Sequence, residues 1–316
     1  MGAYLARRLA FAAFLVVAVS SGSLILSRLA GGDYVTQSLG IDAKREQIEQ
    51  ERARLGLNKS IAAQYRDWLV AAAHLDFGRS LLYDRPVKDL IPERAANTAI
   101  LAVTALAVAT LVGLPLGIIT GSRSSGLFTN TVRAASLVLL SMPPLLTSLF
   151  LVFLAARTGW LPIAGMRSAF VPEGGEAVDL LKHLIVPAGA IGLPLAAMLE
   201  RLQAQAMSEV VGEPFVLAAF ARGAGRSRIV WRDGLKPALK PVASVYGLIV
   251  GTLLSGSFAV EVITAWPGLG RLMLEALRAR DLYLVAGCAG AGAIFLALGT
   301  LLSDVALAMV DPRARE

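Results

Sequence analysis

GEPFVLAAFARGAGRSRIVWRDGLKPALKP (residues 212–241) is a polar, Arg-rich, Gly/Pro-punctuated stretch set in an otherwise apolar chain. An uncharged run precedes it at residues 183–199, and another follows at 241–260. Crossing a bilayer as a helix takes about 20 apolar residues. The stretch therefore reads as a loop between two spans, presenting structured, cationic chain to one side of a membrane.

The rest of the chain agrees. Hydrophobic residues make up 56% of its 316 residues, and the mean hydropathy is +0.64, more apolar than a soluble core requires. Uncharged runs occur at 9–27, 97–122, 134–156, 183–199, 241–260 and 282–303. The expectation is an all-α integral membrane protein with six transmembrane helices. The fourth run is the shortest, and its helix is expected to continue into the polar flanks. The first run begins after Arg7–Arg8 as a signal peptide would. Its apolar part is longer than a signal core, and the nearest small-residue cluster, Ser20–Ser23, has no clear polar break beside it. An uncleaved first helix is preferred.

The net charge of +7 sits in the loops rather than on one face, which points away from nucleic acid. One Cys and two His exclude a disulfide framework and argue against a multi-ligand metal site. Cys288, inside the last apolar run, reads as a small packing residue. The bias of Lys and Arg orients the chain. Arg7 and Arg8, Arg123 and Arg133, the group Arg222, Arg226, Arg228, Arg232, Lys236 and Lys240, and the tail residues Arg313 and Arg315 alternate with loops of near-balanced charge. An even number of spans then places both termini and the basic loops in the cytoplasm.

The expected partition is a tip and first helix over 1–29, an extracytoplasmic region over 30–96, a membrane domain over 97–309 and a cytoplasmic tail over 310–316. Within the membrane domain the helices run over about 97–122, 134–156, 183–202, 241–260 and 282–305, with the loop at 203–240. In the outer region Asp42 can cap a charged helix ending near Gly56, and Ile61, Tyr65, Trp68, Leu69 and Ala72 recur at helical spacing. HLDFGRSLLYDRP (residues 74–86) reads as turns. This region is either a solvated cap packed on the spans or a surface for a soluble partner.

Pro115, Pro143–Pro144, Pro187 and Pro194 each remove a helical hydrogen bond, and the freed carbonyls need partners in a bundle or cavity. Pro143 and Pro144, in the middle of the third run, are candidates for lining a pathway; a plain structural kink is the alternative. Gly247, Gly251 and Gly256, with Ser255 and Ser257, permit close helix approach in the fifth run. The charges Glu200–Arg201, Glu261 and Asp304 all fall near expected span ends, and no acid lies at a midplane, where an ion-driven transporter would more often place one.

Within the opening stretch, Pro214 suits a first helical turn with Glu213 at its N-terminal end. Phe215–Arg222 then forms two Ala-rich turns stopped by Gly223 and Gly225. Ser227 can cap a second short helix through Trp231, broken by Gly234 and Pro237. A basic loop resting on lipid headgroups would show the charge alone. The Ala-rich helix and its ordered breaks favour a dock for a protein.

The segment resembles the cytoplasmic loop of binding-protein-dependent ABC transporter permeases, whose motif is Glu-Ala-Ala, three residues and Gly. Here the stretch is Ala218-Ala219-Phe220 with Gly223, and Ala218 stands where the glutamate would be. Phe215-Val216, Ala219, Ala221, Arg222 and Gly223 are similar to the dipeptide/oligopeptide version, with Leu217 and Phe220 where basic residues are common. Further along, Leu75-Asp76-Phe77-Gly78-Arg79-Ser80, Gly159-Trp160-Leu161-Pro162, Leu193-Pro194-Leu195-Ala196-Ala197, Trp266-Pro267-Gly268-Leu269-Gly270-Arg271, Arg280-Asp281 and Asp311-Pro312-Arg313 resemble the same subfamily.

The resemblance implies the type I ABC importer transmembrane-domain fold in a bacterial cytoplasmic membrane. It implies a homologous second permease subunit, two cytoplasmic ABC ATPase subunits that use ATP and Mg, and an extracytoplasmic solute-binding protein. Phe215, Ala218, Ala219, Arg222 and Gly223 would couple to an ATPase, and Trp266, Pro267, Gly268 and Arg271 would face the binding protein. The chain itself has no Gly-Lys pair and hence no P-loop, no His-Glu-x-x-His and no catalytic triad pattern, so it is expected to be a transport subunit that binds no cofactor. A stand-alone secondary transporter is the alternative.

Overall fold

The computed structural model describes residues 2–30, 32–40, 43–123 and 125–310. Among them the regular elements are helical, apart from an isolated antiparallel bridge between Arg79 and Pro86. In chain order they are α1 (Gly2–Leu29), α2 (Tyr34–Leu39), α3 (Arg45–Arg54), α4 (Ile61–Ala73), α5 (Val87–Gly121), α6 (Leu127–Ser141), α7 (Pro144–Thr158), α8 (Glu176–Val211), α9 (Pro214–Ala221), α10 (Arg226–Arg228), a π-turn (Ile229–Gly234), α11 (Leu235–Ile263), α12 (Leu269–Ala279) and α13 (Leu282–Val310). The expected caps at Asp42 and the tail motif Asp311-Pro312-Arg313 with Arg315 lie outside the described residues.

The helices form two compact units: Met1–Thr98 with Pro267–Ala297, and Ala99–Trp266 with Leu298–Glu316. The stretch from Pro267 to Ala297 thus folds with the N-terminal region, a grouping that cuts across the partition expected from the chain. In the first unit Trp68 of α4 is buried against Leu24 of α1 and Ala286 of α13, with Tyr65 and Ala72 alongside. Tyr65 donates to Ser21 Oγ at 3.1 Å. Three of the helically spaced residues read from the sequence therefore do pack inward, while Ile61 and Leu69 stay exposed. Cys288 is buried with Val87, Leu272 and Val285, a packing residue as read. Asp33 caps α2 through the Thr36 amide and pairs with Arg52 at 2.6 Å. Burial pushes the Asp33 carboxyl up, but the bonds from Arg52 and Thr36 hold it below its ordinary value.

The second unit is organised by one seam. On α5, Ala105, Ala109, Gly113, Gly117 and Gly121 recur every four residues; on α8, Gly192, Ala196, Glu200 and Ala204 do the same. A Cβ added at Gly113 would lie 2.5 Å from the Ala196 carbonyl oxygen, and one at Gly117 would lie 2.6 Å from that of Glu200. One at Gly121 would run into the Ala204 carbonyl, and one at Gly192 would lie 2.9 Å from that of Ala105. The two backbones touch, which only small residues permit. Gly256 of the fifth run has more room: the nearest atom to an added Cβ there is Pro144 Cγ, 3.8 Å away.

The sequence places Glu200 near a span end, held there by snorkelling or by an internal pair. Instead α8 continues to Val211, so Glu200 sits inside the helix and is 1% exposed. Thr120 Oγ1 donates to Glu200 Oε1 at 2.6 Å. Glu200 Oε2 and both polar atoms of the Gln203 amide have no hydrogen-bond partner among the described residues. Glu261 is likewise buried; the Asp304 side chain lies outside those described.

Among the described residues four helices are long and apolar enough to cross a membrane: residues Ala6–Leu29 of α1, then α5, α8 and residues Leu282–Leu301 of α13. The count reaches six when each of two bent pairs is taken as one span. The third apolar run is not the single helix expected. Two successive prolines cannot extend α6, so Pro143 ends it, Pro144 opens α7 at its first position, and the pair bends by 108°. Residues 226–251 and 256–263 make the other pair, bent by 50°. Pro187 and Pro194 stay within the unbroken α8.

The seam predicts opposite outcomes for one substitution at two glycines. Gly117→Ala should destabilise the protein by about 1–3 kcal/mol through backbone overlap. Gly22→Ala, in α1 with nothing within 4 Å of an added Cβ, should be neutral or stabilising. Thermal melting of the two variants in nanodiscs, beside the unsubstituted chain, checks this.

Candidate functional site

The loop between α8 and α11 begins where Gly212 caps α8. Glu213, extended, is the N-cap of α9 and Pro214 its first residue; the missing proline N–H costs nothing there because it would have no helical acceptor. The helix ends in a Schellman arrangement. Gly223 N donates to Phe220 O at 2.9 Å and Ala224 N to Ala219 O at 3.1 Å. Gly223 itself takes φ +82°, the left-handed conformation that glycine adopts without steric cost.

α9 has two faces. Val216 and Ala219 are buried against Ile229, with Val210 and Ala224 beside them. Phe215, Leu217, Ala218 and Phe220 are exposed, as are Arg222 and Gly223. Of the five residues expected to couple, four thus lie on the surface. Ala219 takes a packing position: its small methyl lets α9 settle onto Ile229. Leu217 and Phe220 make this copy of the loop more apolar than the version it resembles.

Beyond Gly223 a second helix forms, but Gly225 rather than Ser227 is its N-cap, and it is not broken at Gly234 or Pro237. Gly225 precedes a three-residue helix, the π-turn follows, and α11 starts directly at Leu235. The π-turn shifts the hydrogen-bond register just ahead of Pro237, so the helical path need not break there. Arg226 Nη2 donates to Ser122 O at 2.6 Å, tying the loop to the end of α5. Between α9 and the start of α11 lies a cavity of about 920 Å³, lined by Phe215, Arg222, Arg228, Arg232, Lys236 and Lys240 among others. Among the described residues no three His, Cys, Asp or Glu side chains gather closely enough to hold a metal ion.

The turn expected to face a binding protein is folded inward. Trp266 is 0% exposed within the core of the second unit, which corrects the idea that its ring meets a partner, and Gly268 is buried as well. Pro267 and Arg271 remain half-buried. Pro267 O accepts from Asn97 Nδ2 at 2.9 Å, and Leu269 N donates to Thr98 Oγ1 at 2.8 Å. Arg271 pairs with Glu275 at 3.0 Å. Glu275 also accepts from the Tyr83 hydroxyl at 2.6 Å. Burial first, and then that bond, push the Tyr83 phenol up to about 12, so it stays a donor.

Asp281 unites two motifs that were noted separately. Its carboxylate, 0% exposed, accepts from Ser80 Oγ at 2.6 Å and the Leu82 amide at 3.0 Å, and caps α13 through the Leu284 amide at 3.1 Å. Of the remaining candidates, Pro143 is exposed and Pro144 half-buried at the α6–α7 bend. Gly159 caps α7 in the left-handed conformation, leaving Trp160 exposed. The glycine seam and the burial of Glu200 within it are not read from the sequence, although the spacing of Gly113, Gly117 and Gly121 carries the signal.

Comparison with known proteins places this geometry. Residues 113–316 match the family described as binding-protein-dependent transport system inner membrane component, and residues 1–102 match the corresponding N-terminal family. The chain is 29% identical over 317 residues to the oligopeptide transport system permease protein AppB of Bacillus subtilis, covering 99% of each chain. It is 32% identical over 290 residues to the dipeptide transport system permease protein DppB of Escherichia coli, covering 85% of this chain and 86% of that one. The chain therefore belongs to the family of binding-protein-dependent transport system inner membrane components, with the type I ABC importer membrane fold.

Proposed function

We propose that this chain is a peptide-type permease subunit of an ABC importer. It forms the translocation pathway with a homologous second permease, above two cytoplasmic ATPases and beneath an extracytoplasmic solute-binding protein. The observation that carries the reading is α9: a short helix held from behind by Val216 and Ala219, with Phe215, Ala218 and Phe220 left exposed at the foot of two long helices. A partner groove that receives this face moves α8 and α11 when it moves. The relatives AppB and DppB, named as oligopeptide and dipeptide permeases, support a peptide or similar small solute as cargo.

The basic loops support an orientation with both termini and α9 in the cytoplasm. Pro267 and Arg271, the half-buried part of the outer turn, are the proposed contacts with the binding protein, and Pro143 and Pro144 at the α6–α7 bend are proposed to line the pathway. Nothing in the chain supplies a phosphate-binding loop, so ATP and Mg are used by the partner ATPases. The stand-alone secondary transporter gives way to the binding-protein dependence of the family.

Phe215→Asp should abolish ATP-dependent uptake in proteoliposomes containing the assembled transporter while leaving the subunit inserted, because Phe215 faces outward. Gly223→Pro, which removes both the left-handed turn and its N–H, should do the same. Full uptake by both variants would overturn the coupling role. Separately, the purified chain alone should show no saturable binding of ATP with Mg in equilibrium dialysis; saturable binding would contradict the division of labour.

A further inference from the structure

Arg228, Arg232, Lys236 and Lys240 recur every four residues from α10 through the π-turn into α11. All four side chains are exposed, as is Arg222 across the cavity. None of the five makes an ion pair or a side-chain hydrogen bond among the described residues. They line one cavity of about 920 Å³ together with the single acid Asp233 and, on the α9 side, Phe215 and Gly223. Like charges gathered at one surface repel each other, and an anionic partner relieves that repulsion.

The geometry decides between two kinds of anion. Lys240 directly precedes the uncharged run 241–260, where a span of about 20 apolar residues would begin. At about 1.5 Å per residue the ladder extends about 18 Å along the helix axis, from Lys240 down to Arg228. The headgroup layer on each side of a bilayer is only about 5–8 Å deep. Lipid headgroups can reach Lys240 and Lys236, whereas Arg232, Arg228 and the cavity wall with Phe215 lie beyond them. A polypeptide can follow the whole ladder.

We propose that this ladder is a second docking element, which receives an acidic segment of the partner ATPase beside α9. The proposal rests on the ATPase-coupled reading above and adds the chemistry of the partner: carboxylates spaced along a surface next to the groove that takes α9. The two elements divide the work. The exposed apolar face of α9 supplies the seat, while the ladder steers the approach and sets its dependence on salt.

The test uses the full chain with its partner permease in nanodiscs, and measures binding of the ATPase subunits by interferometry across a salt series. Lipid of pure phosphatidylcholine is compared with lipid containing phosphatidylglycerol. Arg228→Gln, Arg232→Gln, Lys236→Gln and Lys240→Gln combined should slow ATPase association by about tenfold and flatten its salt dependence, equally in both lipids. Arg228→Lys with Arg232→Lys keeps the charge and should retain fast association, which separates loss of charge from loss of fold. Unchanged ATPase association in the glutamine variant overturns the proposal. So does a loss seen only with phosphatidylglycerol, which would assign the ladder to the lipid surface. Phe215→Asp, run alongside, keeps the two claims apart: if it uncouples transport while the glutamine variant associates normally, only the ladder fails.

Discussion

Backbone-to-backbone contact between α5 and α8 is the constraint on which the second unit depends. Gly113, Gly117 and Gly121 have no side chain to hold the helices apart, and an added methyl would overlap the carbonyls of Ala196, Glu200 and Ala204. Among apolar tails there is no hydrophobic gain from bringing helices together, so such contact must come from close packing and from polar links. Thr120 and Glu200 supply a link within the same seam. Leu101, Ala105 and Ala109 continue the contact toward the N-terminus of α5, in a core shared with Leu184, Ala188 and Ile191 of α8. With α8 fixed along this line, the position of everything that follows it is fixed too: Gly212, the capped start of α9, and the buried pair Val216 and Ala219.

This arrangement lets a small helix act on a large one. α8 is a single helix of 36 residues, about 54 Å long at the usual rise, and its two internal prolines do not interrupt it. α9 joins the end of α8 through a single capped turn, and Ile229, which it packs against, leads through the π-turn into α11. The seam carries α5 along with α8. The α6–α7 pair, bent at Pro143, gives the same unit a break that a straight helix lacks.

Much of this was legible in the chain, and the rest was hidden for identifiable reasons. Long uncharged runs located α1, α5, α8, α11 and α13, because apolar length is a one-dimensional property. The Pro143–Pro144 pair marked a break but not its angle, since the turn of 108° depends on what α6 and α7 pack against. The burial of Glu200 was unreadable from charge alone: it follows from α8 running on past the apolar stretch, and from Thr120 waiting on α5. In the loop, Pro214 and Gly223 announced the two ends of α9. Ala218 and Ala219 look alike in sequence, and only the position of Ile229 puts one outside and the other inside. Trp266 shows the same limit: the family resemblance offered its turn as a contact, and only the fold shows the core holding the ring. Ser80 and Asp281 lie 201 residues apart, and no local pattern could have joined them.

The central claim is that the outer face of α9 is covered by a partner ATPase. Its most direct measurement is the rate of maleimide labelling of Ala218→Cys, on an otherwise quiet background because the one native cysteine, Cys288, is buried. In the permease without ATPases the introduced thiol should label fast, since Ala218 is exposed. In the assembled transporter it should be protected. Equal labelling rates in the two states would contradict the account.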